Sequence, residues 1–240
     1  MRFLASIQYD GANFYGFQRL NKNRSVQREL ESCLTKINKS EVVVKGAGRT
    51  DRGVHALDQK CHFDLDVKIT KEGLKRGLNS ILPNDIYVKK IDIVDNDFHA
   101  RFMVKKKIYY YVINMGEYDV INDKYLYNYC TKLNIKKMKK ASRVLKGKHS
   151  YQAFVSGVRD NYNSAIYDIQ FKKSKEKLII KFTGTSFYRY MVRNLVGALI
   201  AVSNNKIMIN DLEEMIITGE KKINYLTVPS NGLYLEKIEY

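Results

Sequence analysis

The strongest indication of the fold is the stretch Gly46-Ala47-Gly48-Arg49-Thr50-Asp51-Arg52-Gly53-Val54-His55-Ala56. Its glycines allow sharp turns and the close approach of another molecule. The β-branched run Glu41-Val42-Val43-Val44-Lys45 precedes it and predicts a strand over residues 42–45. We therefore expect Asp51 on a loop that a strand holds in place, where functional residues are common. The alternative is a structural Gly-rich turn that contains an Arg–Asp pair.

The charges around Asp51 bear on its chemistry. Arg49 and Arg52 flank the carboxylate and favour its ionised form, which a nucleophile or a base requires. A phosphate-binding loop at Gly46-Ala47-Gly48 is a weak alternative, because the Gly-Lys-Ser/Thr ending of such loops is missing. The stretch thus favours a catalytic carboxylate over a nucleotide site.

Further motifs accompany this stretch. The string GRTDRGVHA, residues 48–56, resembles the signature GRTDxGVHA of the tRNA pseudouridine synthase A (TruA) family. Other segments that resemble the family follow in order at residues 9–11, 14–19, 25–27, 82–86, 99–102, 107–111, 187–197 and 232–235. Ordered matches over nearly the whole chain are more specific than any short motif. By this resemblance the chain is identified as a member of the family.

The resemblance implies four site residues. Asp51 matches the catalytic aspartate, Tyr109 the tyrosine that stacks on the target uracil, and Arg193 the basic residue that pairs with the aspartate. Arg49 matches the arginine that enters the RNA as the target nucleotide leaves its stack. From the residues alone, the pattern Tyr109-Tyr110-Tyr111 favours a tyrosine packed in a strand over a functional one. Arg193, inside an apolar helix, needs a carboxylate partner whether its role is structural or catalytic.

The activity implied by the resemblance is the isomerisation of uridine to pseudouridine in tRNA, at positions 38, 39 and 40 of the anticodon stem-loop. The family enzyme needs no cofactor and no metal, and as a homodimer it holds one tRNA across both subunits. Two rival functions stay open: the same chemistry on another RNA such as rRNA, and a non-catalytic RNA-binding or folding-helper protein.

Two departures from the family pattern leave the target uridines open. Ser164-Ala165 stands where Arg-Thr is common, and Lys148-His149-Ser150-Tyr151 varies on a His-Asp-Phe pattern. Neither touches the aspartate loop. They concern the RNA-binding surface and not the chemistry.

Composition supports a nucleic-acid partner. Forty-two Lys and Arg against 25 Asp and Glu give a net charge of +17, and so positive a surface attracts polyanions. Cys33, Cys61 and Cys130 have neither the spacing of a zinc site nor the number of a disulfide framework. The start lacks a signal-peptide pattern, and the most apolar run, residues 191–202, is too short for a membrane span. We expect a cytoplasmic protein with no membrane partner.

The intermixed strand and helix patterns predict an α+β protein with two halves. Residues 1–103 carry the aspartate loop, and residues 104–240 carry Tyr109 and Arg193. The resemblance implies the pseudouridine synthase fold, two α+β domains around a central, largely antiparallel sheet with the active cleft between them. Phe3, Ala5, Ile7 and Tyr9 fall on one face of a predicted first strand. The predicted helices include residues 135–146, residues 186–202, and one that begins with a capping box of Asn210 and Glu213 and ends at Gly219.

Overall fold

The computed structural model describes residues 1–221 and 223–240. The chain divides into two compact units, residues 1–105 with 234–240, and residues 106–233. Each unit combines helices with strands that pair mainly antiparallel. The predicted α+β class is therefore confirmed.

The elements have the following bounds. The strands are β1 (Arg2–Tyr9), β2 (Lys45–Gly46), β3 (His55–Asp64), β4 (Ile86–Ile93), β5 (Lys106–Asn114), β6 (Tyr127–Asn128), β7 (Gly147–Ser150), β8 (Asn163–Ser174), β9 (Lys177–Gly184) and β10 (Leu233–Glu239). The α-helices are α1 (Val26–Asn38), α2 (Lys71–Ile81), α3 (Ile135–Ser142), α4 (Met191–Ser203) and α5 (Ile209–Thr218). Short 3₁₀ turns cover Gln152–Phe154 and Ser230–Gly232.

In the first unit, β1 lies between β3 and β4 and pairs antiparallel with both. Its alternating residues Phe3, Ala5 and Ile7 are fully buried, as the period of a half-buried strand predicts. Helix α2 packs on β4, and the hydroxyl of its N-cap residue Thr70 accepts the Gly73 N–H at 3.1 Å. This sheet holds both ends of the segment that carries Asp51.

In the second unit, β9 pairs antiparallel with β5 and with β8, and β8 pairs antiparallel with β7. Helix α4 is buried along its length except at Arg193, and it packs against α3. Tyr111 on β5 and Phe182 on β9 are fully buried. The second unit thus has its own apolar core, and β5 and α4, the elements that carry Tyr109 and Arg193, belong to it.

The predicted strand over residues 42–45 is wrong, because β2 covers only Lys45–Gly46. Side chains of α1 accept hydrogen bonds from the backbone N–H groups of residues that precede β2. The Val42 N–H donates to Thr35 Oγ1 at 3.2 Å, and the Val44 N–H donates to Glu31 Oε1 at 3.1 Å. These hydrogen bonds replace the ladder that a strand would need.

Helices α3 and α4 are shorter than predicted. Beyond Ser142 the chain turns with i to i−3 hydrogen bonds, from the Arg143 N–H to Lys140 O at 3.3 Å and from the Val144 N–H to Ala141 O at 3.2 Å. Helix α4 starts at Met191 and not at residue 186. Tyr190, at φ +62°, is in the left-handed region and cannot continue a right-handed helix.

The capping residues of α5 lie two positions before the predicted pair of Asn210 and Glu213. The Asp211 carboxylate accepts the Met208 N–H at 2.6 Å, so Met208 holds the N-cap position. Gly219 ends the helix at φ +72°, as the pattern predicted.

The compact units differ from the predicted halves at the C-terminus. Residues 234–240 belong to the first unit, because Tyr234 and Leu235 of β10 pair with His55 and Ala56 of β3 in parallel. As a statement about domains, the division into residues 1–103 and 104–240 stays a prediction. Among residues 1–221 and 223–240, no helix has the length and apolar character that crossing a membrane requires.

Candidate active site

The aspartate loop, residues 47–54, connects β2 to β3. The Ala47 N–H donates to Lys60 O at 2.8 Å and fixes its start. The Val54 N–H donates to the backbone oxygen of Asp51 at 3.2 Å and closes a turn around that residue. Asp51 itself is half-buried. The carboxylate is therefore carried on a short turn between two strands.

A second loop, residues 10–18, supports the backbone of the aspartate loop. The Phe17 N–H donates to Thr50 O at 3.2 Å, and the Gly53 N–H donates to Phe14 O, also at 3.2 Å. The two hydrogen bonds lie on either side of Asp51 in sequence. They restrict the path of the backbone at the residue whose side chain the reaction would use.

Two glycines make this close approach possible. A Cβ at Gly11 would lie 2.0 Å from Val54 O, and a Cβ at Gly16 would lie 2.6 Å from Thr50 O. Gly16 also has φ +99°, a conformation that side chains rarely allow. The glycines of residues 9–11 and 14–19, two of the motifs that resemble the family, are thus required by contact with the aspartate loop.

His55, at the start of β3, has a positioning role. Its ring is buried and stacks on Tyr234 with centroids 4.7 Å apart. Its Nδ1 accepts the Gly11 N–H at 3.0 Å. The ring therefore links the end of the aspartate loop to the supporting loop and to β10.

The two arginines of the aspartate loop are both exposed. The Arg52 guanidinium lies 4.3 Å from the centroid of the Tyr15 ring, a cation–π distance. Arg49, the predicted RNA-entering residue, is carried on the same loop surface. Exposure of Arg49 is what a residue that enters RNA would need.

Tyr109 lies on β5 opposite Phe182 of β9, and it is 7% exposed. The Phe187 ring contacts it edge-on, with centroids 5.2 Å apart and planes at 71°. Tyr111, two residues further on the same face, donates its hydroxyl to Pro229 O at 2.7 Å. Tyr109 thus has the packed environment of a strand tyrosine, and Phe187 fixes its ring.

Arg193 is half-buried in the first turn of α4. Its Nε donates to Val228 O at 2.7 Å, and its guanidinium carbon lies 4.7 Å from the centroid of the Tyr190 ring. Burial raises the pKa of Tyr111 well above its usual value, while the nearby Arg193 charge acts in the opposite direction. The Val228 carbonyl and the Tyr190 ring orient the guanidinium.

The structure connects Tyr109 and Arg193 through residues 187–193. Phe187 packs on Tyr109, and Tyr190 lies under Arg193. Sequence reasoning missed Phe187 and Tyr190 as contacts of the site, although both lie in the quoted segment 187–197. The predicted pairing of Arg193 with Asp51 stays a prediction, as do the roles of all four site residues.

Ser164, which departs from the family pattern, has a structural role. It is buried, and its hydroxyl donates to Ser186 O at 2.6 Å and lies 3.3 Å from Thr185 Oγ1. These hydrogen bonds connect the start of β8 to Thr185 and Ser186, the residues just before Phe187. The substitution therefore affects the same segment that packs on Tyr109.

Within the described residues, no group of three or more His, Cys, Asp or Glu side chains is arranged to hold a metal ion. Cys33 and Cys61 are buried free thiols, and Cys130 is an exposed one. Burial raises the pKa of the Cys61 thiol to about 12, which keeps it neutral and unreactive.

Comparison with known proteins identifies the family. The family model described as tRNA pseudouridine synthase matches residues 5–103 and 141–240. This chain belongs to that family. The motifs around Asp51 predicted this family. Membership of the family also confirms the predicted pseudouridine synthase fold.

Relatives match this family member over nearly their whole length. It is 38% identical to "tRNA pseudouridine synthase A" of Thermodesulfovibrio yellowstonii, over 98% of each chain. It is 39% identical to the protein of that name from Thermosipho africanus, over 99% of this chain and 98% of the relative. A solved Cbf5-Nop10-Gar1 complex has a TM-score of 0.37 and 10% identity over 98% of this chain and 58% of that one, a likeness too low to carry an argument.

Proposed function

We propose that this protein converts uridine to pseudouridine in tRNA, at positions 38, 39 and 40 of the anticodon stem-loop. The family and the full-length relatives named tRNA pseudouridine synthase A support tRNA as the substrate. The observation that carries the proposal is the half-buried Asp51 on a turn that a second loop supports on both sides. This is the rigid placement that a catalytic carboxylate requires.

The reaction breaks the bond between C1′ of the ribose and N1 of uracil, and after rotation of the base it joins C1′ to C5. N1 gains a proton and C5 loses one, so the change is an isomerisation without a redox partner. Asp51 has two possible roles at the ribose. Its carboxylate either attacks C1′ and forms a covalent intermediate, or it removes the C2′ proton and gives a glycal.

The other three residues hold the substrate and the carboxylate in this proposal. Tyr109 stacks on the target uracil, keeps the detached base in place and helps to remove the C5 proton. Arg193 pairs with Asp51 and keeps it ionised. Arg49 enters the RNA where the target nucleotide leaves its stack. Exposure of Arg49 and the orientation of Arg193 by Val228 and Tyr190 support these roles.

The proposed enzyme is a cytoplasmic homodimer that needs no cofactor and no metal. The resemblance to the family supports the dimer, and the net charge of +17 supports an RNA partner. Sedimentation of the purified protein, alone and with tRNA, tests the dimer. A monomer in both states would contradict it without affecting the proposed chemistry.

Mapping of pseudouridine in RNA tests the substrate. The protein is incubated with unmodified transcripts that carry a single uridine at position 38, 39 or 40, and with rRNA fragments, and the product is located by carbodiimide adduct formation and primer extension. We expect product at the three stem-loop positions only. Product in rRNA alone would favour the first rival function, and tight RNA binding without product on any RNA would favour the second.

A further inference from the structure

A loop of the second unit, residues 155–162, meets the segment that carries Phe187. It follows the 3₁₀ turn Gln152–Phe154 and leads into β8. At its tip Val158 is 99% exposed, and Gly157 has φ +91° with open space where a Cβ would lie. The tip therefore projects into solvent and has no part in the core.

Hydrogen bonds nevertheless give this loop a defined shape. The Tyr162 hydroxyl accepts the Arg159 N–H at 2.9 Å and donates to Gly157 O at 3.2 Å, which closes the tip. The Ser156 N–H donates to Arg189 O at 3.1 Å. The loop is thus attached at its base to the backbone of residues 187–190, next to Phe187.

Guanidinium groups and aromatic rings alternate on this surface. Arg159 lies 4.6 Å from the centroid of the Tyr188 ring, and the Tyr188 hydroxyl donates to Asn163 O at 2.6 Å. Arg189 is exposed and lies 5.0 Å from the Tyr190 ring. Rings beside cations suit a nucleic acid, since cations bind phosphates and rings stack on bases.

We propose that the 155–162 loop contacts the RNA backbone beside the target nucleotide, with Arg159 and Arg189 on phosphates. The proposal rests on the proposed function, because Phe187 packs on Tyr109, the residue proposed to stack on uracil. An element bonded to residues 187–190 then lies beside any RNA held at Tyr109. Asp160 is the one acid between residues 155 and 162, so the two arginines leave this surface cationic.

A charge placed at the tip tests the contact without disturbing the fold. Val158→Asp changes a side chain that is 99% exposed, and Ile217→Asp on α5, at 82% exposed, is a control with the same change in net charge. We expect Val158→Asp to weaken binding of the tRNA transcript by about fivefold at low salt, and less at higher salt, because the new carboxylate faces phosphates. Ile217→Asp should bind as wild type does.

A second pair of variants tests the cation itself. Arg159→Gln should raise the Kd and reduce the slope of log Kd against log salt by about one, whereas Lys173→Gln on the exposed end of β8 should change neither. Thermal unfolding confirms that each variant is folded. A match of Val158→Asp and Arg159→Gln with their controls in affinity and in salt slope, while the wild type forms pseudouridine, refutes the loop contact and leaves the proposed function intact. A wild type without product refutes the proposed function instead.

Discussion

Tyr9 and Thr50 share a hydrogen bond of 2.9 Å between their hydroxyl oxygens. Tyr9 is the last residue of β1, and Thr50 directly precedes Asp51. Both side chains are buried, and burial raises the pKa of Tyr9 to about 12. The phenol therefore stays neutral at physiological pH. Through this bond, strand β1, which lies between β3 and β4, fixes the residue next to the proposed catalytic carboxylate.

Replacement of Tyr9 by Phe should cost stability and activity together. The change leaves the buried Thr50 hydroxyl without this partner, so we expect a loss of about 1 kcal/mol in the free energy of unfolding. Single-turnover rates should fall as well, because the turn at Asp51 loses a restraint. Urea unfolding and rate measurements on Tyr9→Phe, Thr50→Val and the double variant check this. Fully additive losses would show that the two hydroxyls act independently.

Asp51→Asn should abolish pseudouridine formation while tRNA binding stays close to that of the wild type. The amide is nearly isosteric but can neither attack C1′ nor act as a useful base, so the single-turnover rate should fall by at least about a hundredfold. Asp58→Asn, also a change of an aspartate in the first unit, is the control for the loss of one negative charge. A variant that keeps near-wild-type turnover would remove Asp51 from the mechanism.

Two variants of Tyr109 separate its ring from its hydroxyl. If the ring only positions the base, Tyr109→Phe should stay within about tenfold of wild type, and Tyr109→Leu should lose about a hundredfold, because the contact with Phe187 is lost with the ring. If the hydroxyl takes part in removal of the C5 proton, Phe should lose about a hundredfold or more too. Single-turnover rates at saturating tRNA decide between them. Wild-type rates in both variants would leave Tyr109 as a strand residue only.

The sequence predicted those features that depend on local patterns. The period-2 alternation of Phe3, Ala5 and Ile7 fixed β1, and Gly219 marked the end of α5. It failed where distant side chains take the place of local partners. The β-branched residues 42–44 are excellent strand formers, but Thr35 and Glu31 of α1 accept the backbone N–H groups of Val42 and Val44.

The candidate site shows the same limit. Motifs pointed to Asp51, Tyr109 and Arg193 one at a time, and the sequence alone indicated no role for Gly11 and Gly16. Only the fold shows that Gly11 and Gly16 lie against the aspartate loop, and that residues 187–193 contact both Tyr109 and Arg193. Contacts between segments far apart in sequence leave no periodic signal in either segment.

We expect His62 to make the stability of the protein sensitive to mild acid. Its ring is buried on β3, accepts the Ala100 N–H at 3.1 Å through Nδ1, and lies 4.8 Å from the His99 ring. Burial, followed by the charges of His99 and Arg2, lowers the pKa of His62 to about 4. The unfolded imidazole binds a proton at about pH 6.5. We therefore expect the contribution of neutral His62 to stability to be fully present above about pH 6.5 and to be lost as the pH falls towards 4.

His62→Gln should flatten this dependence, because the amide oxygen can still accept the Ala100 N–H but cannot titrate. Urea unfolding of the wild type and the variant from pH 7 to pH 4.5 gives the slope of the free energy of unfolding against pH for each protein. The hydrogen bond from Arg2 lowers the pKa of Asp64 from 3.8. The contribution of the Arg2–Asp64 pair to stability is therefore lost only at a pH below the range of this experiment. Parallel curves for the variant and the wild type in this range would exclude His62 as the cause.

Binding of tRNA should depend strongly on salt and only weakly on base identity. A chain of net charge +17 that contacts many phosphates releases counterions, so affinity should fall steeply between low and physiological salt. Specificity should come from the shape of the stem-loop and from which base can be extruded, because an A-form helix hides its major-groove edges.

Two sets of RNA variants separate shape from sequence at fixed salt. One set changes the bases that flank the target uridine while the stem stays paired, and the other opens the stem or moves the uridine along it. We expect the first set to change the single-turnover rate by less than about tenfold, and the second set to lower it much further, since only the second removes the geometry that presents C1′ to Asp51. Larger losses from the flanking changes would mean that exposed residues such as Arg49 read base edges directly, and recognition by shape would then be wrong for this enzyme.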